Sequence, residues 1–338
     1  MSFPLSILDL SPIYEGVGAS QAVRNSVDLA RYTDSLGYRR YWVAEHHNIP
    51  SISSTAPEVL IGQIAGVTRW LRVGAGGIML PNHSPFHIAE VFRVLEALYP
   101  GRIDLGLGRA PGSDQLTALA MRRSRERLRA DDFDDQLDEL QAYVTRQFSP
   151  KNPFSSLEAF PNDVPLPPIW MLGSTDGGAR IAASRGLGFA HAHHFSPDMT
   201  QVATRLYRQN FRPNAELRFP WLIVTVSVVC AETEEEAAWL AGPLYLAWVR
   251  LRTGAPAPIL SPDDATRYPY NDVEREMADY ARRYLIVGTP GRAREQIETL
   301  RESTSADEIM VNSMINPHEA RKNCYRLLTD AFELERTE

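Results

Sequence analysis

The sequence predicts an α/β protein in which eight parallel strands close into a TIM-like (β/α)8 barrel, with insertions at the carboxyl edge of the strands. Short apolar runs recur along the chain without polar alternation, as is typical of strands buried on both faces of a parallel sheet. Segments with the apolar spacing of amphipathic helices separate these runs, which indicates parallel pairing. A count of eight runs favours a closed barrel over an open sheet.

The strands are bounded by glycine, proline or other turn-forming residues. They are expected at residues 5–10, 40–45, 72–81, 102–109, 169–172, 188–194, 221–230 and 308–311. The segments between them place apolar residues three and four positions apart, as amphipathic helices do. Helices are expected at residues 20–36, 56–67, 85–98, 133–144, 179–185 and 234–251, with two more beginning at residues 290 and 318.

Two glycines near the end of the third strand and an arginine after the fourth mark one edge of the sheet. Gly76 and Gly77 have no Cβ atom, and a glycine inside a strand often marks a bulge or the close approach of a ligand. The fourth strand leads into Gly108 and Arg109. Because ligands of parallel sheets bind at the carboxyl edge, we expect a site here.

Three segments depart from this alternation and are interpreted as insertions on one barrel. Residues 110–132 are expected to be irregular, and residues 149–168 form a proline-rich loop. Residues 253–272 are expected to form a long loop, which in a compact protein is either functional or disordered. Because no boundary between domains is evident, residues 1–338 are expected to form a single domain.

The composition is that of an ordinary globular protein, with 44% hydrophobic and 23% charged residues among 338. The formal net charge of -7 argues against nonspecific binding to nucleic acid. No apolar run reaches the roughly 18 residues of a membrane span, and the first residues do not resemble a signal peptide. Cys230 and Cys324 have no disulfide or metal-binding spacing. We therefore expect a cytoplasmic protein without membrane or nucleic-acid partners.

Residues 106–112 superficially match a dinucleotide-binding glycine pattern. That motif requires glycines that open a helix whose first turn faces a pyrophosphate. Pro111 and Gly112 break this context, and the strand is the fourth rather than the first. Two interpretations remain open: Arg109 offers a charged fork to an anionic ligand, or it is a surface arginine on an ordinary loop.

Residues 173–178 join the fifth predicted strand to a helix. The hydroxyls of Ser174 and Thr175, with the free N–H groups of a helix start, can bind a phosphate. The segment has no lysine like that of a triphosphate-binding loop, so triphosphate hydrolysis is not expected. Asp176 can also be explained as a plain helix cap.

Histidines cluster after two of the strands. Adjacent residues on a strand point to opposite faces, so His46 and His47, which follow Glu45, are not expected to share a site. A general base, a metal ligand and polar packing all remain open for this pair. A metal would need further ligands, which His193 or His194 could supply.

In order along the chain, these motifs resemble the bacterial luciferase-like, flavin-dependent monooxygenases. The resemblance covers nearly the whole chain and is therefore more specific than any single motif. It rests on residues 45–47, 73–81, 101–109, 172–186, 287–290 and 307–311. It implies a TIM-like barrel that binds reduced FMN at the carboxyl edge of the strands.

The resemblance also implies roles for individual residues. Gly76 and Gly77 match the place where the family often has a non-proline cis peptide beside the flavin ring. His46 matches a catalytic histidine, and we expect its imidazole to titrate near neutral pH and to carry a proton. The remaining assignments are Glu45, Arg109, Ser174, Thr175 and Gly178 for the cofactor and His193 for the substrate pocket, with no metal.

The implied reaction has two steps. Reduced FMN reacts with dioxygen to give a C4a-(hydro)peroxide, which then inserts one oxygen atom into a small organic substrate such as an aldehyde or another carbonyl compound. No NAD(P)H site is legible, so a separate flavin reductase is expected to supply the reduced FMN. Two alternatives stay open on the same fold: a deazaflavin-dependent dehydrogenase and a non-catalytic flavin-binding protein.

Two further expectations concern the outside of the barrel. The helix at residues 56–67 carries Gly62, Ala65 and Gly66, whose small side chains permit a homodimer contact or close packing on the protein's own barrel. The resemblance to the luciferase-like family favours the homodimer. The loop at residues 253–272 lies where the family has a mobile lid over the site.

Overall fold

A closed parallel barrel forms the centre of the computed structural model, which describes residues 3–129 and 132–337. Its strands are β1 (Leu5–Asp9), β2 (Arg40–Val43), β3 (Arg72–Ala75), β4 (Ile78–Met79), β5 (Ile103–Gly108), β6 (Ile169–Gly173), β7 (Gly188–His191), β8 (Leu222–Cys230), β9 (Ile286–Gly288) and β10 (Glu308–Asn312). The order is β10-β1-β2-β3-β5-β6-β7-β8, and pairing of β8 with β10 closes the ring. The predicted (β/α)8 barrel is therefore confirmed.

The third predicted strand is divided into two pieces. Both β3 and β4 pair with β5, and the peptide between Gly76 and Gly77, which separates them, is cis. A Cβ on Gly77 would lie 2.8 Å from the carbonyl oxygen of Gly106, so the backbones of the two strands approach closely here. One strand was not predicted: β9 pairs with the end of β8, outside the ring.

Helices cover the outside of the ring and its carboxyl edge. They are α1 (Ala19–Asp34), α2 (Pro57–Val67), α3 (Pro85–Leu98), α4 (Gln115–Arg122), α5 (Arg125–Arg129), α6 (Phe133–Thr145), α7 (Asp176–Arg185), α8 (Thr200–Asn210), α9 (Glu234–Arg252), α10 (Pro262–Thr266), α11 (Asp272–Arg282), α12 (Pro290–Thr304) and α13 (His318–Ala331). All eight predicted helices are present. Within the described ranges, no helix is both long enough and apolar enough to cross a membrane.

Two segments that were predicted as irregular contain helices. In residues 110–132, α4 begins because the Asp114 side chain accepts a hydrogen bond from the N–H of Thr117, and α5 follows; residues 130 and 131 lie outside the described ranges. In residues 253–272, α10 begins at the equivalent cap, Ser261. The prediction overlooked these caps because neither helix has a long apolar stripe.

The loop before α10 is tied to the rest of the barrel. Ile259 is 1% exposed, and its N–H donates to the carbonyl oxygen of Ile13 at 2.9 Å. Its own carbonyl oxygen accepts from the N–H of Glu15 at 2.8 Å. The long loop predicted at residues 253–272 is therefore interrupted by α10 and tied to the loop after β1, and its role as a lid stays a prediction.

Buried ion pairs fill the amino-terminal end of the barrel. Arg40, at the start of β2, donates to Asp104 at 2.7 Å and to Glu308 at 2.9 Å. Trp42 donates its indole N–H to the same Asp104 carboxylate at 3.0 Å. Because each buried charge has an opposite partner, the layer is tolerated in the interior. It closes this end of the barrel, so that a ligand enters from the carboxyl end.

The small residues of α2 face the protein's own helices. The hydroxyl of Tyr99 donates to the carbonyl oxygen of Gly62 at 3.0 Å, and a Cβ on Gly66 would lie 2.9 Å from that hydroxyl. Ala65 is 2% exposed. Of the two explanations for these residues, packing on the own barrel is the one that the structure shows. The homodimer stays a prediction, and the small residues of α2 no longer support it.

Candidate active site

A cavity of about 1000 Å³ opens at the carboxyl ends of the barrel strands. Its floor contains small residues from the strand ends, among them Ala44, Gly76, Gly108, Gly173 and Ala190. One wall consists of residues from α9 and from the end of α11. The volume lies at the upper end of the range for small-molecule sites, which is about 300–1,000 Å³. The cavity can therefore hold a cofactor together with a second molecule.

A candidate anion site lies where β5 and β6 end. Arg109, Ser174 and Thr175 all line the cavity. A Cβ on Gly177, in the first turn of α7, would lie only 2.8 Å from Nη2 of Arg109, so the guanidinium packs directly against the start of that helix. Thr175 is the N-cap residue but makes no side-chain cap bond, which leaves its hydroxyl free of that role. A cation beside a helix start is suited to a phosphate.

Close packing of two glycines positions this helix. A Cβ on Gly178 would lie 3.1 Å from Cα of Gly173, so only glycine lets α7 begin so near the end of β6. Gly178 also lines the cavity. The two glycines thus bring the first turn of α7 to the edge of the cavity.

The cis peptide region provides a flat part of the floor. Gly76 lines the cavity, whereas Gly77 faces β5 and does not. A Cβ on Gly76 would lie 2.7 Å from Cδ1 of Leu8 and 3.2 Å from Cβ of Trp42. A side chain at this position would displace Leu8, and without one the position offers backbone to a planar ligand.

His46 is the histidine of its pair that faces the cavity. Its backbone N–H donates to the carbonyl oxygen of Ser54 at 3.0 Å, whereas Nδ1 of its imidazole is buried without a partner. Burial lowers the pKa of His46 to about 4, against a smaller opposing effect of the Glu45 carboxylate. The expectation that this imidazole titrates near neutral pH was therefore wrong. At pH 7 it is neutral and can accept a proton.

Glu45 lies behind the cavity rather than in its lining. Its Oε2 accepts from the N–H of Met79 at 2.7 Å, and its Oε1 contacts Nε2 of His47 at 2.8 Å and Nε2 of His83 at 2.9 Å. Burial raises the pKa of Glu45, but hydrogen bonds from His47 and His83 outweigh it and hold the pKa at about 2. Glu45 was predicted to contact the cofactor. The contacts that the structure shows instead hold the segment that follows the cis peptide.

His194, and not the predicted His193, lines the cavity. Nδ1 of His193 contacts the hydroxyl of Thr200 at 2.8 Å, as Nε2 of His191 does at 3.0 Å. His191 and His193 therefore lie on one face, the face that packs on the start of α8. The His193 ring also packs edge-on against Tyr284, with the ring centroids 6.2 Å apart. Small residues at alternate positions, Ala190 and Ala192, were the signal for the inner face.

The wall of the cavity was missed at the sequence level. Tyr245 and Trp248 of α9 and Tyr284, just after α11, line it and are called the aromatic wall below. No motif marks them, because their apolar spacing looks like ordinary helix packing. Asn48 also lines the cavity, and its amide donates to Asp114 at 3.0 Å, which joins the loops after β2 and β5.

The histidines at the cavity do not form a metal site with other ligands among the described residues. The one group found in that part of the chain is Asp28, His318 and Glu319, on the outside of the barrel, with ligand atoms within 4.8 Å of one another. Lys322 lies 3.1 Å from the Asp28 carboxylate. Exposed acidic groups of this kind are common without an ion, and this one carries no functional argument.

Comparison with known proteins places the chain among similar sequences and structures. The family described as luciferase-like monooxygenase matches residues 3–308. A luciferase-like monooxygenase of Escherichia coli (strain K12) is 42% identical over 328 residues, covering 97% of this chain and 96% of the relative. The N-acetyl-S-alkylcysteine monooxygenase of Bacillus subtilis is 33% identical over 329 residues, covering 97% of each chain. The crystal structure of apo-MsnO8 has a TM-score of 0.89 and 37% identity, covering 99% of both chains.

Proposed function

The chain belongs to the luciferase-like monooxygenase family, and we propose that it uses reduced FMN and dioxygen to oxygenate a small organic substrate, such as an aldehyde or another carbonyl compound. One observation carries the choice of cofactor. The guanidinium of Arg109 and the first turn of α7 meet at one edge of a cavity whose floor is open backbone at Gly76. Such an arrangement suits a planar ring that bears a phosphate.

The residues present fit this cofactor. Arg109, with Ser174 and Thr175, would hold the phosphate through charge-assisted and hydroxyl hydrogen bonds. The absence of a Cβ at Gly76 and at Gly178 leaves room for the ring and for the helix start. When bound, reduced FMN supplies the electrons that activate dioxygen, and the organic chemistry is the cofactor's own.

The protein contributes a proton acceptor and a cavity that excludes water. His46 is neutral at pH 7, so its imidazole can take a proton from the substrate or the oxidant and return it. Glu45 acts from behind the cavity: its carboxylate accepts a hydrogen bond from the backbone N–H of Met79 and so positions the segment on which the ring would lie. The aromatic wall covers the other side of the cavity and limits the access of water.

We further propose that a separate flavin reductase supplies the reduced FMN and that the protein works as a homodimer in the cytoplasm. A diffusing reduced cofactor would meet the anion site at the open carboxyl end of the barrel. Its phosphate would be attracted by Arg109 even though the formal charge of the whole chain is -7.

Rapid mixing distinguishes this proposal from its alternatives. The protein is first titrated anaerobically with reduced FMN and separately with a reduced deazaflavin cofactor, and each complex is then mixed with dioxygen. A monooxygenase should bind reduced FMN and show a transient absorbance, that of a C4a-oxygen adduct, before oxidised FMN appears. Preferential binding of the deazaflavin, with no reaction with dioxygen, would instead indicate a dehydrogenase. Direct oxidation of bound FMN without any transient would indicate a flavin-binding protein.

A further inference from the structure

The two sides of the cavity differ in charge. In the described part of the chain, Arg109 and Asp114 are the charged residues that line it, and both follow β5. Arg109 lies at the proposed phosphate site, whereas Asp114 caps α4 and accepts a hydrogen bond from Asn48. The opposite side consists of the aromatic wall together with aliphatic side chains, which are those of Leu244, Ala247, Leu251, Ala281 and Leu285. A molecule bound there meets no charged group with which to pair its own charge.

Two arginines near the aromatic wall are turned away from the cavity. The guanidinium of Arg252 lies 4.4 Å from the ring centroid of Trp248, and that of Arg282 lies 5.0 Å from the ring centroid of Tyr245. Neither arginine lines the cavity, and Arg252 also donates to the carbonyl oxygen of Phe195 at 3.1 Å. They support the wall from outside and do not offer a cation to the bound molecule.

His194 is a polar group of the cavity lining whose hydrogen-bonding role is defined by its contacts. Its Nδ1 lies 3.4 Å from the carbonyl oxygen of Thr225, and a carbonyl oxygen only accepts, so Nδ1 carries the proton. In the neutral ring, Nε2 is then the acceptor, and it is the nitrogen left for the cavity. Burial lowers the pKa of His194 to about 4, so the ring is neutral at pH 7.

We propose that the substrate of this cavity is a neutral, largely aromatic molecule that carries a hydrogen-bond donor, which His194 binds through Nε2. The substrate lies between the aromatic wall and the cofactor, and its donor group selects the orientation in which it is held. The inference rests on the proposed function, because it names the class of molecule that the same site would oxygenate. It assigns His194 a direct contact with that molecule.

The test measures binding and not turnover, on the full-length protein with oxidised FMN. The probes share one ring system and differ in one group: 2-naphthol has a donor, 2-methoxynaphthalene has none, and 2-naphthoate is an anion. Wild-type protein should bind 2-naphthol about three- to tenfold more tightly than 2-methoxynaphthalene, as one neutral hydrogen bond predicts. It should bind 2-naphthoate at least about tenfold more weakly than 2-naphthol, because a buried carboxylate would lack a partner.

Matched variants assign the effect to His194. H194L should lose the preference for 2-naphthol and keep its affinity for 2-methoxynaphthalene, whereas H194Q, whose amide oxygen can accept, should keep part of the preference. H193L is the control for the hydrogen bond, since His193 does not line the cavity and contacts Thr200. Because the His193 ring also packs against Tyr284, H193L should shift the affinities of all three probes equally and leave the preference for 2-naphthol intact. W248A should bind all three probes more weakly. Its control W239A should bind them like wild type, because Trp239 lies on the same helix but contacts Asp263 outside the cavity.

Three results would overturn the inference. H194L could keep the preference for 2-naphthol over 2-methoxynaphthalene, H193L could lose that preference, or wild-type protein could bind 2-naphthoate as tightly as 2-naphthol. Tight binding of an N-acetyl-S-alkylcysteine, an anionic molecule of the kind that the Bacillus relative's name prints, would also overturn it. If the protein fails to bind FMN, the proposed function fails. The same probe titrations without FMN then still decide the role of His194.

Discussion

Arg109 lies against Gly177 so closely that Nη2 of the guanidinium is 2.8 Å from the point where a Cβ on Gly177 would be. The first residue follows β5 and the second lies in the first turn of α7, which follows the neighbouring strand β6. Parallel strands end at one edge of the sheet, so the connections after them meet there. The contact combines a side-chain cation with the positive end of a helix, and three of the predictions concern the site around it.

Loss of the cation should weaken FMN binding. Charge-assisted hydrogen bonds contribute about 1.5–3 kcal/mol each, so R109A should bind FMN roughly tenfold to a hundredfold more weakly in a fluorescence titration. R180A is the matched control, because Arg180 lies on α7 and pairs with Asp176 but does not line the cavity. Equal affinities for wild type and R109A would remove Arg109 from the site.

A methyl group at Gly177 should act through Arg109. In G177A the new Cβ forces the guanidinium to move, and because this is the far end of a flexible side chain, the fold should survive. FMN affinity should fall severalfold, less than in R109A. G291A makes the same change in the first turn of α12, where a Cβ meets nothing within 4 Å, and should leave FMN affinity unchanged. If both variants bind FMN like wild type, the position of Arg109 does not matter for the cofactor.

His46 should be needed for turnover and His47 much less. A general base typically contributes about 10²–10⁴-fold to the rate, so H46A should bind FMN normally and lose about that factor in kcat. H47A should lose less, because His47 contacts Glu45 outside the cavity. Since the pKa of His46 is about 4, kcat should be level near neutral pH and fall as the pH approaches 4 and the imidazole becomes protonated. A larger loss in H47A would contradict the assignment.

Buried histidines should make folding sensitive to acid. Burial lowers the pKa of His191 from 6.5 to about 4, so between these values the unfolded chain binds a proton that the native protein does not. Each such histidine costs about 1.4 kcal/mol of stability per pH unit as the pH falls through this window. Between pH 6 and pH 5, H191Q should therefore lose about 1 kcal/mol less than wild type in urea unfolding. Parallel losses in both proteins would show that His191 titrates normally.

The homodimer is checked by light scattering. We expect twice the mass of one chain at micromolar concentration, although the glycines of α2 pack on Tyr99 of the same chain and do not argue for it. Val59 on α2 is 67% exposed and Leu98 at the end of α3 is 62% exposed, so these two helices still present apolar groups to solvent. A monomer mass that does not change with concentration would end this proposal.

The sequence by itself determined the barrel and the edge at which the site lies. A strand buried on both faces is largely apolar, so β1, β8 and β10 can be recognised without any knowledge of their neighbours. Arg109 and the turn at Ser174 follow such strands directly, and parallel pairing then places them at the same edge. His46 was assigned to the inner face by its family match, and the structure places it in the lining.

Tertiary structure alone decided which neighbours of these residues enter the cavity. His193 and His194 follow the end of β7, where the strand no longer dictates the direction of side chains, and contacts with Thr200 and Thr225 set them instead. Glu45 has a bracing role because Met79 and His83, distant in sequence, supply its hydrogen bonds. The aromatic wall comes from helices packed over the barrel, and such packing depends on contacts between segments that no local pattern in the chain records.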